Sequence, residues 1–151
     1  MLRLRLTLVL CLLAFAGSAA NAGSAAPSRH ARVDVGARVA KYARKFVGVP
    51  YRYGGMSPRS GFDCSGLVAF VYRHFGIALP HYTGGQISAG RRVRRRSLRA
   101  GDLVFFGLGH VGLYVGRGRF VHAPHTGTRV RVESLRHGWY GGRLTAARRV
   151  A

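Results

Sequence analysis

The chain has 151 residues, of which 25 are Lys or Arg and only four are Asp or Glu, so its formal net charge is +21. A chain of this length suits one folded domain, and its 48% hydrophobic content can form a core without disulfide staples. The strong positive charge favours polyanionic partners but does not identify a fold.

The N-terminal residues predict an export signal. Arg3 and Arg5 precede an apolar run over residues 6–16, which is shorter than the about 20 residues of a membrane-spanning helix. Small residues follow, and we place the cleavage after Ala22, with Ala20 as the second choice. A short anchor that stays on the protein is the alternative. Export would place the protein in the periplasm or cell envelope, or outside the cell.

Cleavage at this point changes the cysteine count. The chain has two cysteines, and Cys11 lies inside the apolar core of the signal, so we interpret it as part of a discarded segment. Cys64 would then be the only cysteine of the exported protein. An unpaired thiol in an oxidising compartment is unusual unless it has a function.

Two helices are predicted in the first half of the chain. Residues 23–33 have the small, polar composition of a flexible lead-in, and a domain over residues 34–151 would follow. Asp34 is the predicted N-cap of the first helix, which apolar residues at helical spacing continue to Gly48. After a loop rich in Gly, Pro and Ser, a second helix begins at Asp63 or Cys64 and ends at Gly76.

The second half of the chain predicts strands. Residues 79–90 are expected to form a loop with a short helical turn, and residues 91–99 carry a run of arginines that would form a solvated edge or an anion-binding patch. From Gly101 onward the apolar period is two, which predicts four strands, at residues 102–106, 110–115, 120–123 and 129–133. Helices followed by consecutive strands indicate an α+β fold with N-terminal helices packed on a small antiparallel β-sheet.

Cys64 is the candidate nucleophile because of its place in the first turn of the second helix. The free N–H groups there favour a thiolate, so we expect them to lower the pKa of the cysteine. The same N–H groups can bind the oxyanion that forms when the thiolate attacks a carbonyl. Ser65 and Gly66 are small and leave the approach open. A buried, inert cysteine is the alternative.

Two histidines on neighbouring strands are the candidate proton partners of this thiol. His110 opens one predicted strand and His122 lies in the next, so His110 could act as the base and His122 could orient its ring. The other histidines lie in unpatterned or surface segments. No metal or other cofactor is expected, because the histidines lack the spacing of a metal-binding motif.

The predicted hairpin places a condition on this pair. If Arg117-Gly118 formed a plain two-residue turn, His110 would oppose His125, and His122 would lie on the opposite face of the sheet. We therefore predict a bulge near Gly116, which would bring His110 and His122 to one face. The alternative is that His125 orients His110.

Five sequence blocks together resemble the NlpC family of cell-wall peptidases. They are PYRYGG at 50–55, GFDCSGLV at 61–68, GDLVFF at 101–106, HVGLYVG at 110–116 and FVHA at 120–123. The resemblance implies a papain-like core and a Cys-His-His triad of Cys64, His110 and His122. It is nearest to the small single-domain murein endopeptidases.

The same resemblance implies further roles. Tyr51 would project into the active site as oxyanion support, and Asp63 would lie beside the amino end of the substrate or brace the loop. Ser65 would likewise bind the substrate or support the oxyanion. The implied function is a cysteine endopeptidase that hydrolyses amide bonds of peptidoglycan stem or cross-link peptides, acting as a monomer. Anionic cell-envelope polymers are further candidate partners, whereas nucleic acid and a membrane-spanning segment after signal removal are not expected.

Two departures from the family pattern affect the rim of the cleft. His81 follows Leu79-Pro80 where relatives often have arginine, and one extra residue lies between Gly55 and Gly61. These changes concern which bond is cleaved rather than the chemistry. The alternative functions are a non-catalytic wall-binding protein on the same fold and a papain-like amidase or acyltransferase.

Overall fold

The computed structural model describes residues 29–151, with side chains from residue 35 onward. Its helices are α1 (Arg29–Arg44), α2 (Cys64–Arg73) and α3 (Thr83–Gln86), and a 3₁₀ turn lies at Arg95–Ser97. Its strands are β1 (Met56–Ser57), β2 (Gly61–Phe62), β3 (Arg91–Arg92), β4 (Leu103–Phe105), β5 (Val111–Gly116), β6 (Arg119–His122), β7 (Arg131–Ser134) and β8 (Ala146–Arg149). The predicted signal peptide, Cys11 and residues 23–28 lie outside the described residues.

Six strands form one antiparallel sheet in the order β3-β8-β4-β5-β6-β7, and β1 and β2 form a separate hairpin before α2. Together with the helices that precede it, this sheet confirms the predicted α+β fold. No helix within residues 29–151 is both long and apolar enough to cross a membrane.

The sheet is covered on both faces, which explains the apolar runs in β4 and β6. One face packs on α1 and α2 and contains the larger core, which includes Val39, Ala43, Leu67, Val68, Val71, Leu103, Phe105, Leu113 and Val121. The other face carries a smaller cluster of Val104, Phe120, Leu135, Tyr140 and Ala147. Because side chains alternate along a strand, Val121 enters the first core, whereas Phe120 and His122 face the second.

Several boundaries differ from the predicted ones. Helix α1 begins at Arg29, so it includes the end of the predicted lead-in, and the expectation that Asp34 caps its N-terminus is wrong. The last predicted strand starts two residues later than expected, because Arg129 forms an isolated bridge with Pro50. Strand β8 was not predicted, because apolar and polar residues do not alternate in its sequence AARR. It forms a strand because it pairs with β3 and β4.

The arginine-rich segment 91–99 lies at the open edge of the sheet. Strand β3 pairs only two residues with β8, and its two arginines are exposed. Asp102 follows this segment and is buried, where it accepts hydrogen bonds from Arg149 Nε and Nη2, both at 2.6 Å. The run is therefore exposed, as both a solvated edge and an anion-binding patch require. The buried ion pair of Asp102 and Arg149 links the neighbouring strands.

Candidate active site

The N-terminus of α2 lies where the sequence predicts it and is shaped by Asp63. Asp63 is the N-cap, and its Oδ1 accepts a hydrogen bond from the backbone N–H of Gly66 at 2.6 Å. Such a cap stabilises a helix by about 1 kcal/mol. The cap fixes the first turn, so that Cys64 is the first helical residue and lies at the positive end of the helix dipole.

Asp63 also ties the surrounding loops together. Its Oδ1 accepts a hydrogen bond from Ser65 Oγ at 3.3 Å and lies 2.9 Å from His81 Nε2, while its Oδ2 accepts one from the backbone N–H of Gly54 at 2.9 Å. These contacts are those of a residue that braces the loop, one of the two positions that the family resemblance implies. His81 thus contacts the cap directly, and Ser65 is buried with its hydroxyl turned toward Asp63.

The thiol of Cys64 lies between α3 and the start of β5. Its Sγ is 3.9 Å from Thr83 Oγ1 and 3.9 Å from the carbonyl oxygen of Gly109, the residue before His110. Thr83 is a functional candidate that the sequence did not reveal, because nothing in the local pattern marks this short helix as part of a site.

The expected lowering of the cysteine pKa is wrong for the resting site. Burial raises the pKa of the Cys64 thiol above its ordinary value, and this outweighs the hydrogen bonds from the backbone of Val111 and from Thr83, which lower it. The thiol is therefore protonated at neutral pH before substrate enters, so that a base must take its proton when it attacks.

The predicted β-bulge is present in the β5–β6 hairpin. Tyr114 pairs with Phe120, whereas Gly116 pairs with Arg119, so Val115 is the extra residue. The shift places His122 opposite Gly112, on the same face as His110. Gly112 is needed there, because a Cβ at this position would lie 2.6 Å from Cδ2 of Phe120 and 3.0 Å from the backbone oxygen of Val121.

The bulge brings the two histidines into direct contact. His110 Nε2 lies 2.7 Å from His122 Nδ1. His125, the alternative orienter, is exposed, and its Nδ1 lies 3.0 Å from the carbonyl oxygen of Thr126. Burial lowers the pKa of His110 to about 4 and lowers that of His122 further, so both rings are neutral at pH 7.

Tyr51 lies close enough to Cys64 and Asp63 for their charges to affect its phenol, and the role that the resemblance implies for it stays a prediction. It is partly buried, and its backbone N–H donates a hydrogen bond to the Thr128 carbonyl at 2.9 Å. Burial raises the pKa of the Tyr51 phenol, and negative charge on Cys64 and Asp63 raises it further. The phenol is thus protonated at neutral pH and available as a hydrogen-bond donor.

A groove of about 630 Å³ is lined by residues of segment 131–140, among them Tyr140, and is not lined by Cys64, His110 or His122. Tyr140 forms one wall of this groove, and its ring centroid lies 5.7 Å from that of His110 and 4.9 Å from that of His122. Trp139 is 63% exposed at the groove, and the guanidinium carbon of Arg143 lies 4.5 Å from the centre of its ring. Sequence reasoning missed this wall, because residues 135–145 carry no regular period.

Comparison with known proteins identifies the family. Residues 48–149 match the sequence model of the NlpC/P60 family. The chain is 38% identical over 141 residues to murein DD-endopeptidase MepH of Escherichia coli (strain K12), covering 87% of this chain and 52% of the relative. It is 42% identical over 123 residues to murein DD-endopeptidase MepS/murein LD-carboxypeptidase of the same strain, covering 78% and 64%.

Solved structures give the same answer. The NlpC/p60 domain of the peptidoglycan hydrolase SagA is similar with a TM-score of 0.67 and 38% identity, covering 74% of this chain and 96% of that one. A structure of the Resuscitation Promoting Factor Interacting protein RipA mutated at C383 matches with a TM-score of 0.70 and 31% identity, covering 82% and 66%. The chain spans about half or less of the first curated relatives, 52%, 28% and 21% of their lengths. The chain therefore belongs to the NlpC/P60 family.

Proposed function

We propose that this protein is a cysteine endopeptidase that hydrolyses amide bonds in the stem or cross-link peptides of peptidoglycan. The observation that carries the proposal is the 2.7 Å contact between His110 Nε2 and His122 Nδ1, on a strand that starts beside the Cys64 thiol. A nucleophile, a base and a group that orients the base are the parts that such a reaction needs. The relatives MepH and MepS, named as murein DD-endopeptidases, support the same substrate class.

The proposed reaction begins from a neutral thiol and a neutral imidazole. Because His110 Nε2 is engaged by His122, the nitrogen available to the thiol is Nδ1. As the sulfur of Cys64 attacks the amide carbonyl, its proton passes to His110 Nδ1, and the C–S bond forms while the carbonyl electron pair moves to oxygen. The electron pair on oxygen then returns to the carbonyl, and the C–N bond breaks as His110 gives this proton to the departing amine. Water hydrolyses the resulting acyl-enzyme.

Charge that develops on the carbonyl oxygen needs hydrogen-bond donors in fixed positions. The backbone N–H groups in the first turn of α2 supply them, since Asp63 holds that turn in place. Tyr51 is the proposed side-chain donor, because its phenol stays protonated beside Cys64. Asp63 and Ser65 act in this proposal by bracing the loop.

We place the leaving part of the substrate in the groove beside Tyr140. His110 protonates the departing amine, so the leaving fragment lies on the His110 side of the thiol, where Tyr140 stacks on the imidazole. Trp139 lines the same groove and offers an aromatic face, while Arg131 and Glu133 line it as an ion pair. A peptide fragment that packs on the aromatic face suits this groove.

Export belongs to the same proposal, because peptidoglycan lies outside the cytoplasmic membrane. We propose that residues 1–22 direct this export and that the mature protein acts in the periplasm or cell envelope. The exposed arginines of segment 91–99 would hold it near anionic envelope polymers. N-terminal sequencing of the exported protein tests the predicted cut after Ala22.

Digestion of purified peptidoglycan tests the activity, with fragments identified by mass spectrometry. The protein should release stem-peptide fragments, and the Cys64→Ala variant should release none while it keeps the wild-type circular dichroism spectrum. Retained binding to the wall without cleavage by either protein would favour the non-catalytic alternative. Products that carry an added amine, rather than a free carboxylate, would indicate an acyltransferase.

A further inference from the structure

One ring nitrogen of the histidine pair has no hydrogen bond. His122 is fully buried, and its Nδ1 faces His110, but its Nε2 has no hydrogen-bond partner in the described part of the chain. A buried polar atom without a partner costs about 1–3 kcal/mol, so such atoms require an explanation. The residues around His122 Nε2 are therefore the place to look for what fixes the orientation of the ring.

The proposed chemistry defines which proton this nitrogen must carry. His110 can take the thiol proton at Nδ1 only if that atom is unprotonated, so the proton of neutral His110 must lie on Nε2. His110 Nε2–H then donates to His122 Nδ1, which must be the acceptor. Neutral His122 consequently carries its own proton on Nε2, the buried atom without a partner.

The opposite arrangement would block the base. If His122 carried its proton on Nδ1, it would donate to His110 Nε2, and neutral His110 would be protonated at Nδ1, the nitrogen that the proposed reaction needs free. The two arrangements differ only in where two protons lie. An acceptor beside His122 Nε2 would select the productive one.

Glu133 is the candidate for this acceptor. Its Oε1 lies 3.7 Å from His122 Nε2, just beyond hydrogen-bond distance. Strand β7 pairs with β6 so that His122 opposes Arg131 and Phe120 opposes Glu133, which brings Glu133 diagonally next to His122 on the same face. Arg131 Nε donates a hydrogen bond to the same oxygen at 2.5 Å and so fixes the position of the carboxylate.

We propose that Glu133 is a positioning residue that holds His122 in the tautomer protonated at Nε2 and thereby keeps Nδ1 of His110 free to take the thiol proton. Its effect on turnover rests on the proposed peptidase function, whereas its effect on the tautomer does not. Glu133 touches neither the substrate nor the reacting atoms. A negative charge near His122 also stabilises the positive charge that His110 gains during attack.

The first test is the nitrogen-15 NMR spectrum of the histidine rings at pH 7, because protonated and unprotonated ring nitrogens have well-separated chemical shifts. His110→Gln and His122→Gln variants assign the signals. We expect both rings to be protonated at Nε2 and unprotonated at Nδ1. A spectrum in which wild-type His122 carries its proton on Nδ1 would overturn the proposal, whether or not peptidoglycan is cleaved.

The second test removes the acceptor. In Glu133→Ala the His110 and His122 signals should move toward the other tautomer, and kcat on peptidoglycan fragments should fall about 10-fold or more with little change in KM. Glu133→Gln keeps an oxygen at this position, so its kcat should fall less than that of Glu133→Ala. Arg119→Ala, at an exposed site on the adjacent strand, is the control and should match the wild type. Wild-type tautomers and kcat in Glu133→Ala would refute the assignment.

Discussion

The buried histidine pair predicts a large loss of stability in mild acid. His110 and His122 have an ordinary pKa of 6.5, which burial lowers to about 4 for His110 and lowers further for His122. The unfolded chain therefore binds protons at these two positions at a higher pH than the native protein does. Their contribution to stability is fully present above pH 6.5 and is lost as the pH falls toward the native pKa values.

The magnitude follows from the pKa difference. Between pH 7.5 and 4.5 each histidine should lower the free energy of unfolding by about 2.5 kcal/mol, because the unfolded side chain becomes protonated over about two pH units while the native one stays mostly neutral. The pair together should remove about 5 kcal/mol, which is comparable to the whole stability of many domains. The protein should therefore unfold near pH 4–5.

Urea unfolding at pH 7.5 and pH 4.5, followed by circular dichroism, measures this difference. His110→Gln and His122→Gln should each lose about half of the pH dependence, whatever their stability at pH 7.5. His137→Gln, at an exposed position, should retain all of it. An equal pH dependence in the wild type and both active-site variants would refute the assignment of this effect to the buried pair.

Three other changes test separate parts of the structure. Gly112→Ala places a methyl group 2.6 Å from Cδ2 of Phe120, which lies on the same strand and face as His122. It should therefore lower both kcat and the urea midpoint, at a cost of about 1–3 kcal/mol. Asp102→Asn breaks the buried charge pair with Arg149 and should destabilise by about 3 kcal/mol or more in the same urea assay. Trp139→Ala removes a largely exposed ring. It should raise KM for peptidoglycan fragments in initial-rate kinetics and leave kcat nearly unchanged. A loss of kcat alone would contradict the placement of substrate in the groove.

Local patterns in the sequence predicted the elements that carry the reactive side chains. The helix start predicted at Asp63 or Cys64 is present, because such a start is decided within one turn, and Asp63 caps it. The bulge could also be predicted, because only a shifted register puts His110 and His122 on one face. Both inferences depend on residues close together in the chain.

What escaped prediction depends on contacts between distant segments. Thr83 meets Cys64 across 19 residues, and β8 is a strand only because β3 and β4 pair with it. Tyr140 covers the histidines from a segment without regular structure. The direction of the cysteine pKa was also wrong, because the sequence shows a helix start but not how deeply the thiol is buried.

The single extra residue at Val115 makes this hairpin more tolerant of changes in side-chain identity than of changes in length. Removing one residue between His110 and the turn would rotate His110 to the helix-packed face, where the apolar core lies, and no substitution elsewhere would bring it back to His122. Length variation within this family should therefore concentrate outside this hairpin. A graft of the hairpin into another scaffold would need to carry the bulge with both histidines as one unit.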